Sequence, residues 1–350
     1  MKVTRDNLFD CTVDLVFGAG ETPENAQLVA DNLCKADSRG ITTHGTYLLN
    51  PIYQRVEANL LSVPTTLSVP VDTGAVAVVD GGNGLGMLAG KFAMDIATQR
   101  ARDFGIGMVL IRNTNTVGSL AYYTEIIAKQ GMFALMSCNA APAMAPWGGA
   151  EPFLGTNPIA IGIYTGQDMV FCADMATSIV ARGRIRQEAR RGNPIPAEWA
   201  LDADGHQTTD PNQALLGTLL PMGGPKGSAI AMAVDVLSGM ISGAQYAPHL
   251  LSFHATEGKT GVGVSLVVVD ISKFLPLDEF KASMQAYILE MKAMKKASFA
   301  SEIFLPGEIE YQRDLDSQKH GISLDDQAVK NLNNLLEKIG SDKRLLPIEA

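Results

Sequence analysis

The sequence predicts an α/β protein on three observations: two helical blocks at the start, a strand, helix, strand order through the middle, and charged helical patterns toward the end. Residues 5–36 carry apolar side chains at helical spacing in two blocks divided at Gly18-Ala19-Gly20-Glu21-Thr22-Pro23, where Thr22 can cap a helix opening at Pro23. That pattern reads as a helical hairpin. From 64 to 80 the run TTLSVPVDTGAVAVVDGG is β-rich with Pro and Gly punctuation, and a helix over 87–103 leads into the strand GIGMVLIRN. Gly131 to Cys138 is a further strand.

After Cys138 the segment NAAPAMAPWGGAEPFLGTNP is dense in Pro, Gly and Asn, which marks a long irregular stretch of the kind that builds sites. Strands IAIGIY and MVFCADMA follow. A helical stretch crosses Arg182, Arg184, Arg186, Arg190 and Arg191, a turn falls at Asp202-Ala203-Asp204-Gly205, and a small-residue helix runs from Lys226 to Gly243. The strand GVGVSLVVVDI, a charged helix over 277–298, the turn Leu305-Pro306-Gly307-Glu308 and a helix over 323–340 complete the order.

With 350 residues, 46% hydrophobic and 19% charged, the chain has material for two compact units. A formal charge of −9 excludes a general nucleic-acid surface, which needs a positive stripe. The start MKVTRDNLFD lacks an apolar signal region, and the most apolar tract, 229–244, is broken by Asp235, Ser238 and glycines, so no membrane span is expected. Cys11, Cys34, Cys138 and Cys172 are scattered through apolar stretches without a CxxC pair, which favours free thiols and a cytoplasmic address.

Five histidines occur, and His44 differs from the others by its place at a glycine-marked break, Asp37-Ser38-Arg39-Gly40-Ile41-Thr42-Thr43-His44-Gly45, after a helical pattern. Its imidazole is the candidate for proton transfer. Gly84-Leu85-Gly86-Met87-Leu88-Ala89 matches a dinucleotide fingerprint, but Asp103 comes too early to serve as its ribose acid, and packing glycines are the better reading. Asp202-Ala203-Asp204-Gly205 lacks the distal Glu of a calcium loop, and His249 and His254 lack zinc spacing, so no metal is assigned. Pro225-Lys226-Gly227 at a helix start offers a cation and free N–H groups to a phosphate.

Taken in order, His44-Gly45, GGNGLGMLAGKFAMDIATQRARDFGIG, PWGGAEPFLGTNPIA, Asp174-Met175-Ala176-Thr177, ALDADGHQTTDP and PMGGPKG resemble the malate/L-lactate dehydrogenase family over nearly the whole chain, its ureidoglycolate dehydrogenase branch most of all. The resemblance implies hydride transfer between NAD or NADP and a small-molecule substrate, in a homodimer with sites at the subunit interface. It implies a cofactor domain that is not a Rossmann unit but a mixed, largely antiparallel sheet over 76–254, with a helical part from 1–75 joined by 255–350. By similarity Asp174, Met175, Ala176, Lys226, Gly227, Pro306, Gly307 and Glu308 contact the cofactor, and Thr156 lies near the substrate.

Three positions depart from the family pattern. Thr116 stands where relatives carry a second, proton-accepting histidine, and a hydroxyl cannot titrate near neutrality. Leu48 stands where an arginine clamps a substrate carboxylate, so that wall is expected to be apolar. Thr43 precedes His44 where the imine-reducing branch has a serine that orients a proton-donating histidine, although Thr177 replaces that branch's aspartate. These features point to an oxidoreductase reducing C=O or cyclic C=N with His44 as proton donor. A 2-hydroxy-acid dehydrogenase, with the arginine cluster replacing the lost clamp, and a non-catalytic dinucleotide-binding protein are the alternatives.

Overall fold

The computed structural model describes residues 1–348; positions 349–350, which close the expected C-terminal part, lie outside the described residues. The expected hairpin is α1 (Arg5–Gly18) and α2 (Pro23–Ser38), and Thr22 Oγ1 accepts from Asn25 N at 3.2 Å to cap the second helix. A short strand β1 (Lys2–Val3) precedes them, and α3 (Leu49–Glu57) follows.

Next come β2 (Ser68–Thr73), β3 (Val76–Asp80), α4 (Gly86–Phe104), β4 (Ile106–Thr114), α5 (Leu120–Ala128), β5 (Met132–Cys138), β6 (Ile159–Ile163) and β7 (Phe171–Met175). Then α6 (Arg182–Arg191), β8 (Ala200–Leu201), α7 (Pro211–Leu216), β9 (Thr218–Leu219) and α8 (Pro225–Val234) lead to β10 (Val262–Asp270). The chain closes with α9 (Leu277–Ala293), α10 (Glu308–His320), β11 (Ile322–Ser323) and α11 (Asp326–Lys338).

The main sheet has seven strands in the order β2-β3-β4-β10-β5-β6-β7. Only β3 and β4 run parallel, and every other neighbouring pair is antiparallel, so the sheet is the mixed, largely antiparallel type the resemblance implied. β10, drawn from the stretch expected to join the terminal helical part, lies in the middle of this sheet between β4 and β5. Its Val264, Leu266 and Val268, which share one face, are fully buried, and Ser265 on the opposite face is buried too. α4 lays the small residues Ala89, Ala93, Ala97 and Ala101 against it, all without exposure.

A second core joins the two ends of the chain. Leu8, Leu15, Leu33, Leu49 and Ile52 pack with Leu332 and Leu336 of α11, and β1 pairs antiparallel with β11. Helices α3, α7 and α10 were not anticipated. α10 has a thin apolar stripe, and buried polar contacts fasten it instead: Asp314 receives Lys35 Nζ at 2.6 Å and Ser38 Oγ at 2.5 Å from α2. α3 is short and carries Pro51 in its first turn, which masks its period.

The glycine fingerprint is a packing device. A Cβ on Gly84 would lie 2.5 Å from the Thr65 side chain, and one on Gly86 would lie 2.4 Å from the carbonyl oxygens of Asn115 and Thr116. Gly84 lets the start of α4 close on Thr65, and Gly86 lets it press against the loop that carries Thr116.

Candidate active site

His44 sits in a tight loop made of two 3-10 turns, Thr42–His44 and Thr46–Leu48, between α2 and α3. The loop is held from behind by the buried Asp37, whose carboxylate accepts from Thr46 N at 2.9 Å and Thr46 Oγ1 at 2.6 Å. Gly45 is required there, because a Cβ would fall 2.0 Å from Asp37 Oδ1. Arg39, also buried, pairs with Glu125 of α5 and pins the end of α2 to the sheet layer. The histidine is therefore presented by a backbone that cannot easily shift.

Thr43 Oγ1 lies 3.1 Å from His44 Nδ1, which leaves Nε2 as the nitrogen free for a ligand. The residue is exposed to solvent on the outer side of this loop. Burial by the surrounding protein pushes its pKa below the ordinary histidine value, and the Asp174 carboxylate acts in the opposite sense. Asp174 and His44 thus share one electrostatic neighbourhood although 130 positions separate them.

Asp174 occupies the exit of β7, the edge strand. Its carboxylate accepts from Ala121 N at 2.9 Å and Ser119 Oγ at 3.1 Å, satisfying the first turn of α5. The same loop holds Thr116, a half-buried side chain whose hydroxyl accepts from Gly118 N at a long 3.4 Å. Gly118 (φ 75) leans on α2, where a Cβ would lie 2.3 Å from Asn32 Oδ1.

Other expected residues gather along the same strand end. Cys172 N donates to Pro306 O at 2.9 Å, and Gly307 (φ 86) fits only without a side chain, since a Cβ would stand 2.9 Å from Cys172. Thr156 O receives both Thr177 N at 2.8 Å and Thr177 Oγ1 at 2.9 Å, so the buried Thr177 hydroxyl is already used. Met222 N donates to Thr177 O at 2.9 Å and brings the start of α8 alongside. Gly227 permits that turn, because a Cβ would approach Met222 O to 2.0 Å.

Lys226 is exposed at the positive end of α8, with no carboxylate in salt-bridge range among the described residues. Met175 is 42% exposed and Ala176 half-buried. Because Cys172 N points away from β6, antiparallel alternation also turns the main-chain N–H and C=O of Asp174 to the outer edge of the sheet. An exposed lysine, a helix start and an unpaired strand edge form a donor set suited to a phosphate-bearing dinucleotide.

Two expected contacts are corrected. Leu48 is only 5% exposed and packs into the helical core with Leu49 and Ile52, because the second 3-10 turn rotates it inward; Tyr47, 48% exposed, faces out instead. The Glu308 carboxylate is taken by Lys292 Nζ at 2.6 and 2.7 Å and by Leu305 N at 2.9 Å, which leaves the Pro306-Gly307 backbone as the part of that turn beside β7. Tyr47 and Asp37 were missed by sequence reasoning, and neither residue type carries a distinguishing local pattern.

The Malate/L-lactate dehydrogenase family model matches residues 3–333. Malate dehydrogenase of Pyrococcus horikoshii is 34% identical over 348 residues, covering 97% of this chain and 96% of that protein. L-sulfolactate dehydrogenase of Methanocaldococcus jannaschii is 36% identical over 327 residues, 93% of each chain. The solved sulfolactate dehydrogenase structure from that organism superposes with a TM-score of 0.93, covering 97% of this chain and 98% of that one at 33% identity. Ureidoglycolate dehydrogenase of Escherichia coli is a more distant match, 28% over 333 residues and 95% of each chain. The structure of delta1-piperideine-2-carboxylate reductase from Pseudomonas syringae pvar. tomato gives a TM-score of 0.85 at 27% identity, covering 96% of this chain and 99% of that one. With the family model spanning residues 3–333 and relatives above 30% identity over nearly the whole length, the chain belongs to the malate/L-lactate dehydrogenase family.

Proposed function

We propose that the protein is an NAD(P)-dependent oxidoreductase that interconverts a 2-oxo acid and its 2-hydroxy acid, with His44 passing the proton to and from the substrate oxygen. The observation that carries this reading is the His44 ring, anchored through Nδ1 by Thr43 at 3.1 Å and within the field of Asp174. Among the described residues the other four histidines are set differently: His206 lies on an exposed turn, His249 meets Tyr246 edge-on, His254 lies 6.0 Å from the Tyr47 ring, and His320 binds Asp316 at 2.7 Å.

A bound nicotinamide supplies or accepts the hydride at the substrate carbon. The rest is the work of this chain. Lys226 and the α8 start hold phosphate, the β7 edge and Pro306-Gly307 seat the remainder of the dinucleotide, and His44 Nε2 faces the substrate oxygen. A lowered pKa keeps the ring neutral near pH 7, ready to accept a hydroxyl proton during oxidation; in reduction it must first be protonated and then donates to the developing alkoxide.

The relatives named for malate and sulfolactate support a hydroxy-acid substrate. A second reading, reduction of a cyclic C=N bond, draws on the Thr43–His44 contact and on the structural likeness to the piperideine-carboxylate reductase. The engaged Thr177 hydroxyl leaves that reading without a second proton relay. An uncharged face on α8 and the turn after it, with Ile230, Val236, Met240 and Ile241 exposed, suits a homodimer contact. Among the described residues no helix is long and apolar enough to cross a membrane, and the four free, buried cysteines fit a reducing compartment such as the cytoplasm.

The test is turnover of 2-oxo acids and cyclic imines with NADH and NADPH by wild type and His44→Ala. Loss of about two to four orders of magnitude in kcat with nearly unchanged cofactor affinity is expected. An unaltered rate would remove His44 from the chemistry.

A further inference from the structure

Two local irregularities meet inside the molecule. Asn157, fully buried just ahead of β6, holds a left-handed backbone (φ 30) that a residue with a side chain adopts at a cost. Helix α8 does not stop at Val234 but widens into a π-helical segment, Asp235–Met240, where Ile241 N donates to Val236 O and Ala244 N to Gly239 O, each at 2.9 Å and each across five residues. One hydrogen bond joins the two: Asn157 Nδ2 donates to Ala231 O at 2.9 Å. That carbonyl also takes the Asp235 N–H, so both of its lone pairs are used where the helix changes pitch.

The other end of the Asn157 carboxamide faces the loop after β5. Its Oδ1 accepts from Ala140 N at 3.1 Å, and Gly155 is required beside it, since a Cβ there would stand 2.3 Å from Ala140 O. Asn139 repeats the connection: its Nδ2 donates to Asp235 Oδ1 at 3.2 Å and to Gln245 O at 2.8 Å, and its Oδ1 accepts from Gly263 N at 2.9 Å. Thr156, the preceding residue, is the one whose carbonyl receives Thr177 N just beyond β7. The exit of β7, the loop after β5 and the body of α8 are therefore tied together at Thr156-Asn157.

We infer that Asn157 is a positioning residue for the dinucleotide: it fixes where α8 stands, and so where Lys226 and the helix start lie against the outer edge of β7. This rests on the reading of Lys226 and the β7 edge given under the proposed function. Lys226 and Ala231 are one and a half turns apart, about 7.5 Å of helix rise, so a shift at the tie is carried to the helix start by a rigid element. Glycine would take the Asn157 backbone without strain, and what the carboxamide adds in return is the pair of bonds to Ala140 and Ala231. Aspartate keeps an acceptor for Ala140 N but sets its second oxygen against Ala231 O, whereas glycine keeps the backbone alone.

ADP serves as the probe, titrated by calorimetry against wild type, Asn157→Asp, Asn157→Gly and Lys226→Ala, with thermal unfolding of each followed in parallel. Both Asn157 variants are expected to bind ADP about 3- to 30-fold more weakly, the coupling carried by a buried tie away from the ligand. They should also raise KM for the nicotinamide cofactor while kcat at saturation holds within about twofold. A lowered unfolding temperature with ADP affinity unchanged would make Asn157 purely structural and overturns the assignment. Should neither variant fold, wild type decides: ADP is expected to slow hydrogen exchange at Ala140 N together with the amides of α8, and protection confined to α8 overturns it as well. The two readings fail separately. ADP affinity lost in Lys226→Ala but intact in both Asn157 variants removes the positioning role alone. Unchanged affinity in Lys226→Ala, or no ADP binding to wild type, removes the α8 start as the phosphate seat and the positioning role with it.

Discussion

Asp37 and Thr46 are joined by two hydrogen bonds into one carboxylate oxygen, 2.9 Å from the backbone N and 2.6 Å from the hydroxyl, directly behind the loop that presents His44. Burial raises the Asp37 carboxyl from 3.8 to about 6, and the two bonds from Thr46 oppose that rise. Since the folded value lies above the unfolded one, the protonated carboxyl is the form the fold favours. Its stabilisation is complete below pH 3.8 and is lost as pH rises through about 6.

Asp37→Asn removes this titration. Relative to wild type, the variant should gain about 2 kcal/mol on going from pH 4 to pH 7, at about 1.4 kcal/mol per unit of pKa difference. Denaturant unfolding of both proteins at the two pH values measures the change. Parallel stability curves would show that the Asp37 carboxyl titrates alike in the folded and unfolded chain.

Asp174 raises the His44 pKa against the larger effect of burial. In wild type, kcat/KM for hydroxy-acid oxidation should climb with pH and level off below the usual histidine value. Asp174→Asn moves that limb to lower pH, because the ring loses its anionic neighbour while its burial remains. The full pH–rate profiles of both enzymes test this, and an unmoved limb would mean that another group controls the rise.

Leu48→Arg would place a guanidinium inside the helical core rather than in the cleft. The expected cost is about 3 kcal/mol or more, the penalty of an unpaired buried charge, with no gain in acid binding. Thermal unfolding and KM for 2-oxo acids check both halves. A stable variant with tighter substrate binding would show that the second 3-10 turn can rotate outward.

Much of this arrangement was legible in the sequence, and the reason differs from element to element. The helical hairpin carries its own cap and proline at Thr22-Pro23, and His44-Gly45 marks a tight turn, so local chemistry suffices for both. The segments at 174–176, 226–227 and 306–307, which the resemblance assigned to the cofactor, come together near the end of β7. What stayed hidden depends on distant pairing. The insertion of β10 between β4 and β5, and the meeting of Tyr47 with His254, join segments that no local period connects. Leu48 was misplaced for a subtler reason: the rotation of a single 3-10 turn decides which of two adjacent side chains looks outward.

The free outer edge of β7 has a bearing on how such an enzyme changes its chemistry. Recognition through main-chain amides is indifferent to the identity of the side chains they carry. On the proposed seating of the dinucleotide along this edge, a lineage can exchange Thr116 or its neighbours, and with them the molecule being turned over, while the redox partner would keep docking on the same unchanging peptide groups.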